Sequence, residues 1–405
     1  MSNDTTNRED ERLAAEISRR LDATKALMRK RGYDLLLVYG SNKVNGSVRY
    51  LTDYFPDRAG WISLSPTETS IVEGAGVLVS LKHEAALLVD PGLMPTRNVQ
   101  IKRIIGGDGF SARKGDGLSI ENIRKLIGAE DVVRRVGMET FDKFPAPLFM
   151  EMKASFPDIE FVRSTVVEDL RLIKSEYDMA KMREAARSAD AAHEAVAGIL
   201  ANGEISELDL IREAERTMRN RDPMYEDSCT GSPSLICSGT TYGGAWLHLP
   251  DARKIIRKGD IVHWDLALRY EGYPVDSSRT RSLGPMQANH RKAYDVSREI
   301  HQAVFEAARP GTSAFELVEI GQRLAKKGDF ELWNAFMGHG LGWDIHERPD
   351  MGIEVMPLEE DMVLAIEPRI LVDNFLVGNE DMVHVTGKGG VSLTKFDRDA
   401  VELLI

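Results

Sequence analysis

Two short stretches constrain this chain more than anything else in it. Each reads as a β-hairpin, and each carries an acid on both arms. In "HWDLALRYEGYPVDSSRT", from His263 to Thr280, the midpoint between Asp265 and Asp276 falls between Tyr270 and Glu271, beside Gly272. A reversal there sets the two aspartates opposite each other on one face. In "LAIEPRILVDNFLVGNEDMVHV", Glu367 and Glu380 stand thirteen residues apart, with Asp373 and Asn374 at the centre. Asp-Asn suits a two-residue hairpin turn. Opposed side chains on such a ladder have Cβ atoms about 4.5–5.5 Å apart. Two carboxylates at about 5 Å repel by roughly 3 kcal/mol at an effective dielectric near 20. A fold of marginal stability needs compensation for that, either protonation or bound cations.

A histidine distinguishes the two remedies. "FMGHGLGWDIHERPDMG" places His339 between glycines, with His346 seven residues on. Glycine on both sides lets backbone approach closely. Four carboxylates and a neutral imidazole suit two borderline-to-hard divalent ions such as Mn, Co or Zn, and four negative charges balance two dications.

The rest of the chain frames these hairpins. Its 405 residues favour two domains. Residues from about Asp10 to Arg31 have the period of an amphipathic helix, and "YDLLLVYG", "GAGVLVSL" and "EAALLVD" read as strands. With the helix "SIENIRKLIG" and the strand "RVGMET", they make an α/β first domain over 1–164. Ser175 and Asp178 form a capping-box pattern at the head of a long helix that Gly203 closes. His193, on its apolar face, reads as a core-edge histidine. Beyond it, helices mix with antiparallel-looking strand pairs, an α+β second domain over 165–405.

The net charge of −12 argues against nucleic acid or an anionic membrane as partner. There is no apolar run long enough to span a bilayer. The polar start "MSNDTTNREDER" lacks a signal core, and Cys229 and Cys237 read as free thiols, so the expected location is the cytoplasm.

Together these motifs resemble the creatinase/prolidase/methionine-aminopeptidase superfamily, whose fold is called pita-bread. The order Asp, Asp, His, Glu, Glu is matched by Asp265, Asp276, His339, Glu367 and Glu380. "GHGLGWDIHERP" is similar to the signature of proline-directed peptidases, and "NEDMV" to the last ligand motif. The resemblance runs from about Val166 to the C-terminus. A preceding α/β domain fits the creatinase/prolidase branch. It implies those five residues as metal ligands, with Asp276 and Glu380 bridging two ions, and Glu367 placed to take a proton from the attacking water. It also implies catalytic contacts from His248, in "WLHLP", and from His346. His263 and His384, beside ligand strands, are expected to be structural.

The implied activity is hydrolysis of small peptides, as an Xaa-Pro dipeptidase or aminopeptidase acting as a homodimer. The alternative is a creatinase-like enzyme acting on a small solute of the creatine, ectoine or dimethylsulfoniopropionate type. The departures concern the surroundings of the ligands. Ala365 stands two before Glu367, Arg369 replaces the glycine after Glu-Pro, and Gly378 occupies a place often held by arginine. Arg369 is the candidate replacement for that missing charge.

Overall fold

The structure is a computed structural model. It describes residues 2–41, 43–56, 74–89, 99–106, 117–222, 234–239, 247–399 and 401–403. Cys229, and most of the Gly/Ser-rich stretch before His248, lie outside the described residues. The chain forms two compact units, Met1–Arg171 and Leu172–Ile405.

In the first unit, the described residues build a six-stranded mixed sheet. Its order is Arg103–Ile105, Ala86–Leu88, Ala75–Ser80, Leu35–Gly40, Arg135–Glu139, Glu160–Ser164. Strand Leu35–Gly40 is buried along its whole length, as its unbroken apolar run demands. It pairs antiparallel with Ala75–Ser80 and parallel with Arg135–Glu139. The helix Ile120–Ile127, capped by Ser119, packs Ile123 and Leu126 into the core beside Val136 and Met138. The first helix runs Ser2–Arg31, longer at its N-terminal end than its apolar spacing predicts.

The second unit opens on the helix Glu176–Leu200. Its capping box forms as the sequence predicts: the Asp178 amide donates to Ser175 Oγ, and the Ser175 amide to the Asp178 carboxylate. His193 is not at the core edge. It is wholly buried, accepting from Trp264 Nε1 at 2.8 Å, with Ser277 Oγ 3.0 Å from its other nitrogen and the Phe396 ring stacked on it. The apolar period that suggested an edge could not reveal a tryptophan and a serine waiting across the core.

Two antiparallel ladders carry the acids. The first hairpin turns one residue later than expected. Tyr270 pairs with Tyr273, so the turn residues are Glu271 and Gly272, at φ 45° and 83°. Both positions need positive φ, and Gly272 takes the second without strain; a turn one residue earlier would have forced Tyr270 there. Strand Ile261–Leu266 then pairs with Ser277–Leu283, with Asp265 opposite Ser278. Asp276 falls two residues along on the same face, a diagonal neighbour of Asp265 rather than its direct opposite.

The second hairpin turns where the sequence predicts. Val372 pairs with Phe375 across Asp373 and Asn374, both at positive φ. The register continues into Val363–Ile366 against Asp381–Thr386, with Ile366 opposite Asp381. Glu367 and Glu380 therefore occupy opposed positions.

Strand Gly338–Gly340 lies between Glu347–Asp350 and Val363–Ile366, which brings His339 beside the second hairpin. The glycines on either side of it are required. A Cβ at Gly338, whose φ is +133°, would lie 1.9 Å from the Ala365 carbonyl oxygen, and one at Gly340 would lie 2.0 Å from that of Arg348. Helices Ala288–Ala307 and Ala314–Lys327 cover the ladder, packing Ile300, Val304 and Leu317 with Leu364, Ile366 and Val383.

Gly338→Ala must push the Ala365 strand away and strain its own backbone, a cost above about 2 kcal/mol. The expected result is a thermal midpoint lower by at least about 4 °C. Calorimetry that found the midpoint unchanged would contradict this account of the close approach.

Candidate metal centre

The two hairpins and the His339 strand converge. Ligand atoms of Asp265, Asp276 and Glu380 lie within 4.8 Å of one another, as do those of His339, Glu367 and Glu380, and those of Asp276, His339 and His346. His339 Nε2 is 3.3 Å from Asp276 Oδ2 and 3.6 Å from Glu367 Oε1. All five acid and imidazole groups read from the sequence are buried.

Glu380 is held by its backbone. Its carbonyl oxygen accepts from Ser277 Oγ at 3.0 Å, from Arg279 Nη1 at 2.7 Å and from the Ser278 amide at 3.3 Å, and its amide donates to Ser278. Arg279 also pairs with wholly buried Asp381 at 2.8 Å, tying one hairpin to the other. Burial would raise the Asp381 carboxyl; Arg279 first, then His301, hold it well below the usual carboxylate range.

The ring of His339 is oriented by its Nδ1, which donates to the Gly340 carbonyl at 2.9 Å. Nε2 then presents its lone pair to Asp276 and Glu367, the arrangement of a metal-ligating imidazole. Without a metal the same geometry retains a proton. Burial alone would lower His339, but the Asp276 contact and the charges of Asp276 and Glu367 push it up to about 9. Asp276 itself is pushed up to about 7, by burial first and then by the charge of Asp265, against the pull of His339. Burial also raises Glu367 and Glu380, and Glu380 further through the charges of Asp276 and Glu367.

His346 stands at the open edge of this group. Its ring meets that of His339 edge-on, with centroids 4.2 Å apart. Desolvation and then the charge of His339 lower it to about 4, so it is a neutral imidazole near pH 7. The loop that carries it is pinned by Glu347, whose Oε1 accepts from the amides of Trp343 and Asp344 at 2.6 and 2.8 Å.

His248 belongs to none of the three groups among the described residues. It bridges Ile236 through backbone, next to the strand that flanks Asp265, and its Nε2 lies 2.8 Å from Glu207 Oε2. Glu207, wholly buried, also meets Ser238 Oγ and lies 3.3 Å from Lys254. The sequence reading missed this carboxylate. It follows the N-cap Ser206, where an acid ordinarily serves only the helix dipole. His263 is buried, with Nδ1 2.8 Å from Thr280 Oγ1, and His384 Nε2 lies 2.8 Å from Asp361.

Arg369 enters the same space. Its Nη2 lies 2.8 Å from Asp265 Oδ2, 2.7 Å from Glu367 Oε2 and 3.4 Å from Glu380 Oε2. The other Asp265 oxygen, Oδ1, is buried with no hydrogen-bond partner. A buried, unpartnered carboxylate oxygen among three further acids calls for a cation, and the O-and-N donor set fits divalent metal.

Buried acids from two hairpins closing on an oriented imidazole define the class as a metal-dependent hydrolase. The chain belongs to metallopeptidase family M24, whose family model matches residues 180–387. The Xaa-Pro dipeptidase of Pyrococcus horikoshii is 29% identical over 297 residues, covering 72% of this chain and 82% of that protein. The Xaa-Pro dipeptidase of Lactobacillus delbrueckii subsp. lactis is 29% identical over 232 residues, 56% of this chain and 61% of the relative's length.

The crystal structure of the prolidase from Pyrococcus horikoshii superposes with a TM-score of 0.73 at 24% identity, covering 95% of this chain and all of that one. Aminopeptidase P from E. coli gives 0.70 at 18% identity, covering 96% of each. These neighbours establish the fold: an N-terminal domain followed by a pita-bread domain, α+β overall. The relatives do not favour the creatinase-like alternative.

A divalent ion taken up by His339 Nε2 must displace the proton that the neighbouring Asp276 and Glu367 carboxylates favour there. Affinity for Mn2+ should therefore rise with pH up to about 9. Titration calorimetry near pH 7, in buffers of different ionisation enthalpy, should show about one proton released per ion bound. Identical heats in all buffers would contradict the His339–Asp276 assignment.

Proposed function

We propose that this chain is a cytoplasmic, homodimeric dinuclear peptidase that cleaves small Xaa-Pro peptides, as a dipeptidase or aminopeptidase. The observation that carries the reading is the convergence of Asp265, Asp276, His339, Glu367 and Glu380 in one buried cluster. In this reading they would hold two divalent ions, Mn, Co or Zn, with Asp276 and Glu380 shared between them. Residues 1–164 form a creatinase/prolidase-type domain and 165–405 the catalytic domain. The names of the dipeptidase relatives support the substrate class. Among the described residues no helix is long and apolar enough to cross a membrane, which is compatible with the proposed location.

The chemistry that bound divalent ions supply is Lewis acidity toward a carbonyl and a lowered pKa for water. The protein does the rest. Glu367 offers Oε1 on the His339 side, while its Oε2 is held by Arg369, so one oxygen stays in place to accept the proton of the attacking water. His346, neutral and at the open edge, is placed to donate to the scissile group as charge develops. Glu207 fixes the ring of His248, so that its position does not depend on substrate.

Chelation should abolish release of the N-terminal residue from Xaa-Pro dipeptides, and Mn2+ should restore it. Asp276→Ala should lower kcat/KM by at least about a thousandfold. His346→Ala should lower kcat by about a hundredfold, with metal content unchanged. Full activity after exhaustive chelation would contradict the proposal. So would turnover of creatine, ectoine or dimethylsulfoniopropionate in place of every dipeptide tested.

A further inference from the structure

The ligand strands have a second face. Side chains alternate along a strand, so with Glu380 turned to the metal centre its neighbours Asn379 and Asp381 point the other way. Helix Ala288–Ala307 meets them there. Asn379 Nδ2 donates to Tyr294 Oη at 2.8 Å, and His301 Nε2 lies 3.2 Å from Asp381 Oδ2. Ser297 Oγ donates at 2.7 Å to the carbonyl of Pro368, the residue after Glu367.

Between this helix and the C-terminal segment lies a cavity of about 400 Å3, a volume within the range of small-molecule sites. Its walls include Ser297, His301 and Asn379, with Arg298, Arg398 and Asp399. Among the described residues, none of the five metal-ligand candidates lines it. It is a separate space on the reverse of the hairpin that carries two of them.

Its charge is uneven. Behind the wall the buried carboxylate of Asp381 faces two guanidiniums, Arg279 at 2.8 Å and Arg398 at 3.3 Å. Burial keeps His301, 3.2 Å from Arg398 Nη1, neutral. Two guanidiniums against one carboxylate leave one positive charge, and Arg398 presents it to the cavity. Around the exposed acids the balance reverses. Asp295, Asp399 and Glu402 share two guanidiniums, Arg291 and Arg298, which leaves one negative charge. A small molecule that carries a carboxylate and an ammonium group answers both. That is the chemistry of a free amino acid.

We infer that this cavity binds a free amino acid, with its carboxylate on Arg398, and that filling the cavity slows the metal centre. The site is argued from its own geometry and charge; its meaning as feedback by product rests on the peptidase reading above. The coupling is direct. A carboxylate on Arg398 competes with Asp381 for that guanidinium. Asp381 joins the two ligand hairpins through Arg279, which also holds the Glu380 carbonyl at 2.7 Å. Loosening Asp381 therefore loosens Glu380.

The first test is calorimetric titration of L-proline and of L-leucine into the chelator-stripped full chain. Wild type should bind one equivalent of at least one of them, and binding of neither would overturn the inference. Acetate and ethylammonium carry one charge each and should bind at least about tenfold more weakly. Equal affinity for acetate would overturn the amino-acid assignment. Arg398→Gln should weaken the amino acid at least about tenfold, and an unchanged affinity would overturn the site. In steady-state kinetics of the Mn2+-loaded enzyme, the same amino acid should lower kcat at least about fivefold. Arg398→Gln should begin from a lowered kcat and lose no more. An effect on KM alone, or the same loss of kcat in the variant, would overturn the feedback. If that variant does not fold, the acetate comparison and the separation of kcat from KM in wild type decide. If no dipeptide is hydrolysed, the peptidase reading falls, and the calorimetry still decides the site.

Discussion

Four buried carboxylates within a few ångströms of one another repel, and the architecture of the second unit is built around holding them in that state. Protonation relieves part of the strain when no metal is bound, since burial raises Asp276 and the Asp276 and Glu367 carboxylates raise His339. Arg369 relieves another part permanently, because a guanidinium does not give up its proton at any working pH. What remains is a net negative pocket, and that residue of charge is what makes the site a receptor for divalent ions. Neutral side chains at these positions would fold more easily and bind nothing.

Such a site is useful only if its groups cannot relax apart. The backbone prevents this. Glu380 is fixed through its own carbonyl by Ser277, Ser278 and Arg279, and the buried Arg279–Asp381 pair locks the two hairpins together. Trp264, His193 and Ser277 form a hydrogen-bonded chain that ends on the same Glu380 carbonyl. The long helix Glu176–Leu200, far from Glu380 in sequence, thereby helps to position it. The glycines around His339 let its strand slot between two neighbours at distances that no side chain would permit.

Much of this was readable from residues alone. The Asp-Asn turn fixed the register of the second hairpin, because those residue types tolerate the positive φ that a two-residue turn demands. The sequence places the turn of the first hairpin one residue too early, since symmetry about the two aspartates ignores that Gly272 belongs inside the turn. That error moved a contact from direct to diagonal but kept both acids on one face, because a shift of the turn by a full residue moves each pairing by two. Glu207 and the buried network of His193 were not readable. Their partners lie tens of residues away, and a helix-start glutamate or an apolar-face histidine carries no local mark of its role. Arg369 was visible as an oddity of sequence, but only the ladder showed that it faces three ligands at once.

The most direct test of the convergence is diffraction from crystals grown with Mn2+, using the anomalous signal of manganese. The account predicts strong anomalous density enclosed by His339 Nε2 and by oxygens of Asp265, Asp276, Glu367 and Glu380. Density showing these five ligand groups turned away from one another, or meeting with no anomalous peak at saturating Mn2+, would contradict it.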